Sequence, residues 1–151
     1  MISIRAVRPD DLAEVCGHRR RMFAENGADE AALEAMAAPF AAWVRQRLED
    51  GRYFGFVAEA AGAVVAGIGL FVLDWPPHYL HPENAERGYI LNVYVEAAYR
   101  GRGLAVELMT RAEEEFRRRG IQFEVLHASG MGRPVYEKLG WTAMPEMGKV
   151  L

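Results

Sequence analysis

Cysteine is almost absent from this chain of 151 residues, which contains a single one, Cys16. One thiol excludes an internal disulfide framework, and the lack of a CxxC pair excludes a cysteine-based zinc site. Cys16 lies among apolar residues at helical spacing, so we expect a buried and unreactive thiol. No metal centre is predicted.

An excess of one charge is also missing, because 18 basic residues balance 21 acidic ones to a net charge of −3. The chain therefore lacks the basic surface typical of nucleic-acid-binding proteins, and no nucleic-acid partner is expected. No apolar run approaches the roughly 20 residues needed to span a bilayer. The first residues, MISIRAVRPDD, lack the apolar core of a signal peptide. We therefore expect a cytoplasmic protein with no membrane association.

The length and composition fit one globular domain over residues 1–151, since 51% of the residues are hydrophobic and 26% are charged. No internal repeat or low-complexity segment is visible. Residues 2–7 alternate apolar and polar side chains, which predicts a strand. Asp11 followed by Glu14 has the spacing of a capping box, so a helix is predicted to begin there. A second helix is predicted from about residue 29 to residue 50, with a break or kink near Ala38 caused by Pro39.

Two strands are predicted next, over residues 53–59 and 64–73, joined as an antiparallel hairpin. Gly67 and Gly69 interrupt the second strand, which indicates a bulge or a close packing contact. The loop over residues 74–87 has three prolines and no periodicity. It contains Trp75, Tyr79 and His81, which could line an acceptor site as an aromatic wall or could simply anchor the loop.

The later elements follow the same reasoning. Residues 89–95 form an apolar, β-branched run typical of a buried strand. An amphipathic helix is predicted to begin at Leu104, and another strand is predicted over residues 121–128. A short helix ends at Leu139, and residues 141–151 are predicted to form a closing strand or hairpin. The fold class is therefore α/β with a mixed sheet.

The turn between the central strand and its helix is the most informative segment. A helix start exposes unpaired backbone N–H groups, which together with a glycine-rich turn can bind a phosphate or pyrophosphate. Gly101 and Gly103 would let phosphate oxygens approach the backbone, and Arg100 and Arg102 add positive charge. Turns of this composition also occur as ordinary loops, so spacing alone leaves both interpretations open.

Two separated motifs resemble one known family. Arg100-x-x-Gly103-x-Ala105 resembles the Gln/Arg-x-x-Gly-x-Gly/Ala signature of the GCN5-related N-acetyltransferases, in which this turn wraps the pyrophosphate of acetyl-CoA. Residues 135–141, VYEKLGW, resemble the late LYEKLGF motif of that family. The resemblance covers nearly the whole chain, and it implies a splayed mixed sheet in the order β-α-α-β-β-β-α-β-α-β.

The resemblance implies acetyl-CoA as acyl donor and a primary amine as acceptor, on a small molecule or a peptide. It also implies the residues that contact the donor: Val93, Tyr94, Val95, Arg100, Gly101, Arg102, Gly103, Leu104, Ala105, Val106 and Ser129. Ser129 stands where the family often has asparagine, and it could equally be a helix cap. The late strands of such folds often pair between subunits, so a homodimer is a further expectation.

Tyr136 is the candidate catalytic residue. A phenol suits the protonation of a departing thiolate, because the two pKa values lie close together. The resemblance places a catalytic tyrosine here, whereas the local pattern alone would favour a packed side chain. No base can be named, since the central strand lacks a carboxylate before Glu96, and the weak candidates are Glu96, His127, His81 and His78.

The absence of a nucleophile motif such as GxSxG disfavours a covalent acyl-enzyme, so direct attack in a ternary complex is expected. A second hypothesis is a non-catalytic acyl-CoA sensor or regulatory subunit with the same fold. A small dinucleotide-binding domain has little support, because the turn lacks GxGxxG spacing.

Overall fold

Five strands form one open sheet in the order β1-β2-β3-β4-β5. The computed structural model describes all 151 residues. The strands are β1 (Ile2–Ala6), β2 (Phe54–Ala60), β3 (Ala63–Asp74), β4 (Glu86–Val95) and β5 (Glu124–Leu126). The helices are α1 (Leu12–Glu25), α2 (Glu30–Asp50), α3 (Leu104–Arg118) and α4 (Arg133–Lys138), with short 3-10 turns at Pro9–Asp11 and Ala97–Tyr99. None of these helices has both the length and the apolar character required to cross a bilayer.

The sheet is mixed, as predicted. Strands β1 to β4 pair antiparallel, whereas β4 and β5 pair parallel and are connected through α3. The predicted hairpin joins β2 to β3 through a tight turn in which Gly62 has φ +80°. This arrangement confirms the predicted fold class, with the helices packed on both faces of the sheet.

Strand β4 contains a bulge that changes which face its side chains occupy. Gly69 pairs with Leu91 and Gly67 pairs with Tyr94, so β4 has one residue more than β3 between these pairs. The additional residue lies at Asn92, which has φ +55°. The irregularity expected at Gly67 and Gly69 is therefore confirmed, and the extra residue belongs to the neighbouring strand.

Two hydrophobic clusters form the core, one on each face of the sheet. The α3 face buries Leu70, Ile90, Leu108 and Phe116, together with nine further residues. The α1/α2 face buries Val15, Phe40, Val44, Leu48 and Tyr53. Since α1 and α3 pack on opposite faces of the sheet, the sheet positions the two groups of helices relative to each other.

Two local predictions were wrong. Residues 141–151 form no strand, and apolar side chains at their end, such as Met147, are almost fully exposed. A strand needs a partner edge, and β5 is only three residues long. The predicted strand over residues 121–128 shortens to those three residues for the same reason. Of the break or kink expected at Pro39, the break does not occur: helix α2 continues through Pro39, with Leu33 and Phe40 buried on either side of the exposed proline.

The predicted capping box at the first helix was also wrong. The carboxylate of Asp11 accepts hydrogen bonds from the backbone N–H of Arg8 (2.7 Å) and from both terminal nitrogens of Arg5 (2.8 Å each). Charge-assisted, bidentate bonds of this kind are stronger than a bond to a neutral helix N–H. Asp11 therefore links β1 to the turn before α1. Its bond to the Arg8 N–H belongs to a capping box of that 3-10 turn, and it makes no side-chain cap on α1.

Candidate functional site

The site begins where β4 and β5 separate. Their pairing covers only Gly88–Ile90 with Glu124–Leu126, although β4 continues to Val95. Gly88 donates its N–H toward β5, to Phe123 O. After the bulge, Val93 and Val95 have their side chains on the same face as Ile90. Side-chain face and hydrogen-bonding direction alternate together along a strand, so the backbone groups of Val93 and Val95 point to the edge that β5 has left open. The Val95 carbonyl on this edge is bound by Arg100.

A cleft of about 360 Å³ opens at this separation, between the end of β4, the start of α3 and α4. It brings together every predicted donor-contacting residue except Arg102, and it also contains Tyr136. The lining residues that were predicted are Val93, Tyr94, Val95, Arg100, Gly101, Gly103, Leu104, Ala105, Val106, Ser129 and Tyr136. Residues far apart in sequence therefore share one cavity.

The glycine turn forms the polar end of the cleft. Gly101 and Gly103 have φ +75° and +79°, and a Cβ on either would point into open space. No backbone N–H of residues 101–106 has an acceptor within the protein, and α3 has no side-chain cap. These successive free donors coincide with the positive end of the helix dipole, which is the arrangement that binds a phosphate group.

The two arginines of the turn behave differently. Arg100 lines the cleft, where its Nε donates to Val95 O (2.8 Å) and its Nη2 binds the carboxylate of Glu25 (2.8 Å). Arg102 lies outside the cleft lining, and its guanidinium packs 5.1 Å from the centre of the Tyr99 ring. Arg100 therefore joins the strand, helix α1 and the turn.

Sequence reasoning missed Glu25, which lies at the end of α1 and lines the cleft. Its carboxylate accepts hydrogen bonds from Tyr94 Oη (2.8 Å) and from Arg100. The Tyr94 bond, followed by the Arg100 contacts, holds the pKa of Glu25 below its ordinary value. No local pattern marks this residue, because its partners lie 69 and 75 positions away.

Tyr136 lies on α4 and faces the cleft. Its hydroxyl has no hydrogen-bond partner in the protein, so it is free to act on a bound molecule. Burial raises the pKa of Tyr136, which keeps the phenol protonated at neutral pH. The ring packs against Trp141 at 6.3 Å, and a Cβ at Gly132 would lie 2.9 Å from it. The VYEKLGW segment thus positions the phenol through its final tryptophan.

Ser129 does not cap α4, which has no side-chain cap, and its contact with the donor stays a prediction. It lines the cleft, and its Oγ accepts a hydrogen bond from the Gly132 N–H (3.0 Å). Its carbonyl accepts another from the N–H of Arg133. Ser129 therefore stabilises the turn that leads into α4 and the position of Tyr136.

Two of the candidate bases belong to the loop before β4 and serve its structure. His81 is fully buried; its Nδ1 contacts Asn84 O (2.8 Å), and its Nε2 accepts a bond from Arg87 Nε (2.9 Å). His78 binds the backbone N–H of Leu80. The Arg87 guanidinium also packs over Trp75, at 4.4 Å from the ring centre. Trp75 and His81 therefore anchor the loop, as the second of the two alternatives predicted, whereas Tyr79 is 82% exposed and does not.

The other two candidates lie near the central strand. Glu96 binds Arg21 (2.6 Å) and lies 3.3 Å from the ring of His18, so its carboxylate is occupied. His127 follows β5 directly, where the two strands separate, and it contacts the Tyr89 hydroxyl and the Glu146 carboxylate. Of the four candidate bases, His127 is therefore the one whose side chain is exposed next to the point where β4 and β5 separate.

Comparison with known proteins gives a consistent result. The model of the acetyltransferase (GNAT) family matches residues 14–141. A GCN5-related N-acetyltransferase from Ralstonia eutropha JMP134 is 51% identical, with a TM-score of 0.98 over 100% of this chain and 99% of that one. A predicted acetyltransferase from Clostridium acetobutylicum, solved with acetyl-CoA, is 26% identical, with a TM-score of 0.90 over 100% and 96%. No curated protein matched the chain.

Proposed function

Since the chain belongs to the GCN5-related N-acetyltransferase family, we propose that it transfers an acetyl group from acetyl-CoA to a primary amine. The observation that carries the proposal is the row of unpaired N–H groups over residues 101–106 at one end of a cleft that Tyr136 enters. The Clostridium structure, which contains acetyl-CoA, supports this choice of donor.

The residues of the cleft fit acetyl-CoA. The free N–H groups of the turn would hold the pyrophosphate, and the missing side chains at Gly101 and Gly103 leave room for its oxygens. The open edge of β4 at Val93 and Val95 offers backbone groups to the amide-containing arm of the donor, as an added strand would use them. An N–H on the same edge can polarise the thioester carbonyl.

Acetyl-CoA supplies an acetyl group activated as a thioester. The unprotonated amine nitrogen forms a bond to the carbonyl carbon and loses one proton to solvent. The carbon–sulfur bond breaks, so the sulfur leaves as a thiolate that needs a proton. The Tyr136 hydroxyl is protonated at neutral pH and has no competing partner, so we assign it this proton transfer. The reaction is direct, in a complex of donor, acceptor and protein.

The rival function is a binding protein that holds acyl-CoA without turnover. Release of the CoA thiol in the presence of an amine panel separates the two, since turnover of any amine excludes the rival. The unpaired Tyr136 hydroxyl inside the cleft favours the enzyme.

Substitution of a turn glycine tests the donor site. Gly103→Ala adds a methyl group where the donor oxygens would lie, at φ +79°, without touching any protein atom. Calorimetry should show that the variant binds acetyl-CoA about 10-fold or more weakly, the effect of about 1.4 kcal/mol in binding free energy.

Gly62→Ala is the matched control, because Gly62 has φ +80°, open space around its Cβ and a position in a distant hairpin. It should show the same backbone strain and unchanged acetyl-CoA affinity. Failure of the unsubstituted protein to bind acetyl-CoA would end the proposal.

A further inference from the structure

Arg19 lies on the opposite side of β4 from the donor cleft and is held in an aromatic setting. Its guanidinium carbon lies 4.7 Å from the centre of the Phe23 ring and 4.5 Å from that of Phe40. One terminal nitrogen donates to Asn92 Oδ1 at 2.8 Å, and the amide of Asn92 in turn donates to Tyr53 Oη at 3.0 Å. The side chain is therefore fixed in position before any ligand binds.

This cation has no counter-ion. Its neighbours on α1, Arg20 and Arg21, both bind glutamates, whereas Arg19 takes part in no ion pair. Its Nε is buried without an acceptor. Partial burial also lowers the pKa of Arg19. A half-buried charge without a partner is unfavourable for folding, and such groups are concentrated at functional sites, where a ligand supplies the partner.

The position of Arg19 connects it to the reaction. Asn92, its hydrogen-bond partner, is the bulge residue and directly precedes Val93, whose Cα is about 3.8 Å away along the chain. Asn92 faces α1, while Val93 packs on the α3 side and lines the donor cleft. At the bulge, two adjacent residues therefore face opposite sides of the strand: Asn92 contacts the unpaired Arg19, and Val93 lines the donor cleft.

We propose that Arg19 binds an anionic group, a carboxylate or a phosphate, carried by the amine acceptor. The substrates are then amines that also bear an acid group, such as amino acids. The planar guanidinium presents several N–H donors in a fixed geometry that matches both oxyanions, and the Asn92 bond and the aromatic rings hold that plane in place. The inference rests on the proposed function and names its substrate class.

Matched acceptor pairs test the inference. L-amino acids are compared with their carboxamides, and O-phosphoethanolamine with ethanolamine, by the release of CoA thiol. The unsubstituted protein should prefer the acid member of at least one pair, and the pair shows whether the anion is a carboxylate or a phosphate. Arg19→Gln should lower kcat/KM for the preferred acid by about 10- to 100-fold, mainly through KM, as expected for loss of a charged hydrogen-bonded pair.

Two further variants separate recognition from structure. Arg19→Lys keeps the charge and should restore part of the preference. Arg20→Gln removes the adjacent, solvent-facing cation and should leave the preference unchanged. Equal kcat/KM for both members of every pair in the unsubstituted protein would overturn the inference. An Arg19→Gln variant that slows both members of a pair equally would also overturn it, since that result indicates a purely structural role.

Thermal unfolding distinguishes failure of this inference from failure of the proposed function, because it needs no turnover. The preferred acid should raise the unfolding midpoint of the unsubstituted protein and leave that of Arg19→Gln unchanged. If no amine is turned over, the same comparison is made with every acid in the panel, and the absence of any Arg19-dependent shift overturns the inference. Loss of the acid preference with intact acetyl-CoA binding and turnover leaves the proposed function standing.

Discussion

At the scale of single residues, the chemistry of the cleft depends on which polar groups are already satisfied. Arg100 and Glu25 bind each other, so they stabilise the walls of the cleft. The Tyr136 hydroxyl and the N–H groups of residues 101–106 have no protein partners. Free groups can interact with a substrate without breaking an existing bond, which is why we assign the chemistry to them.

Tyr136→Phe should lower kcat by about 10²- to 10⁴-fold, the usual contribution of a general acid. Acetyl-CoA affinity should change little, because the hydroxyl acts on the thiolate that forms during the reaction and not on the intact thioester. Since burial raises the pKa of Tyr136, any loss of activity from its ionisation should occur above about pH 10, the ordinary value for tyrosine. Steady-state kinetics across pH and calorimetry with acetyl-CoA measure both effects.

Tyr99→Phe is the control, because Tyr99 also lines the cleft. Removal of the Tyr99 hydroxyl should leave kcat within a few-fold of the value for the unsubstituted protein. A Tyr136→Phe variant with normal turnover would remove this residue from the mechanism.

At the scale of elements, Asp11 connects β1 to the start of α1. Asp11→Asn should destabilise the fold by about 1–3 kcal/mol at neutral pH, because the bonds from Arg5 and Arg8 lose their anionic acceptor. The Arg5 bonds hold the pKa of Asp11 below its ordinary 3.8. A lowered pKa means that this stabilisation is complete above about pH 4 and is lost as the pH falls through the folded-state value.

Urea unfolding between pH 7 and pH 3 measures this effect. The Asp11→Asn variant should lose less stability on acidification than the unsubstituted protein. Asp10→Asn is the neighbouring control, since Asp10 is exposed and makes no side-chain hydrogen bond. Equal acid sensitivity of the Asp11 variant and the unsubstituted protein would contradict the assignment.

At the scale of the whole molecule, Gly88 of β4 allows the sheet and α3 to pack closely together. A Cβ at Gly88 would lie 2.7–2.8 Å from three atoms of the Phe116 ring, which is itself almost fully buried. Gly88→Ala should therefore lower the free energy of unfolding by about 1–3 kcal/mol through overpacking. This loss corresponds to a drop of roughly 2–4 °C in Tm for each kcal/mol in a domain of this size.

A double-mutant cycle makes the contact testable. Phe116→Leu should relieve part of the overpacking caused by Gly88→Ala. The double variant should therefore lose less unfolding free energy than the sum of the losses in the two single variants. Gly148→Ala is the control, because a Cβ there meets nothing within 4 Å. Strict additivity in the cycle would show that the strain lies elsewhere.

The amphipathic pattern of α3 and the Gly101–Gly103 turn were predictable because they depend on neighbours in sequence. The helix stripe follows from three- and four-residue spacing, and the turn follows from residues that tolerate positive φ. The family resemblance then predicted 11 of the 18 residues that line the cleft. Arg102 was predicted with them and lies outside the lining, because its guanidinium packs on Tyr99.

Sequence alone therefore determined the α/β class, the central strand–turn–helix unit and many of the residues that line the cleft. Only the tertiary structure decided that Glu25 joins Arg100, that Arg19 reaches Asn92 across 73 positions and that residues 141–151 find no strand partner. The physical reason is range: helix spacing and turn geometry act between near neighbours, whereas ion pairing and strand pairing depend on which distant segments the packed core brings together.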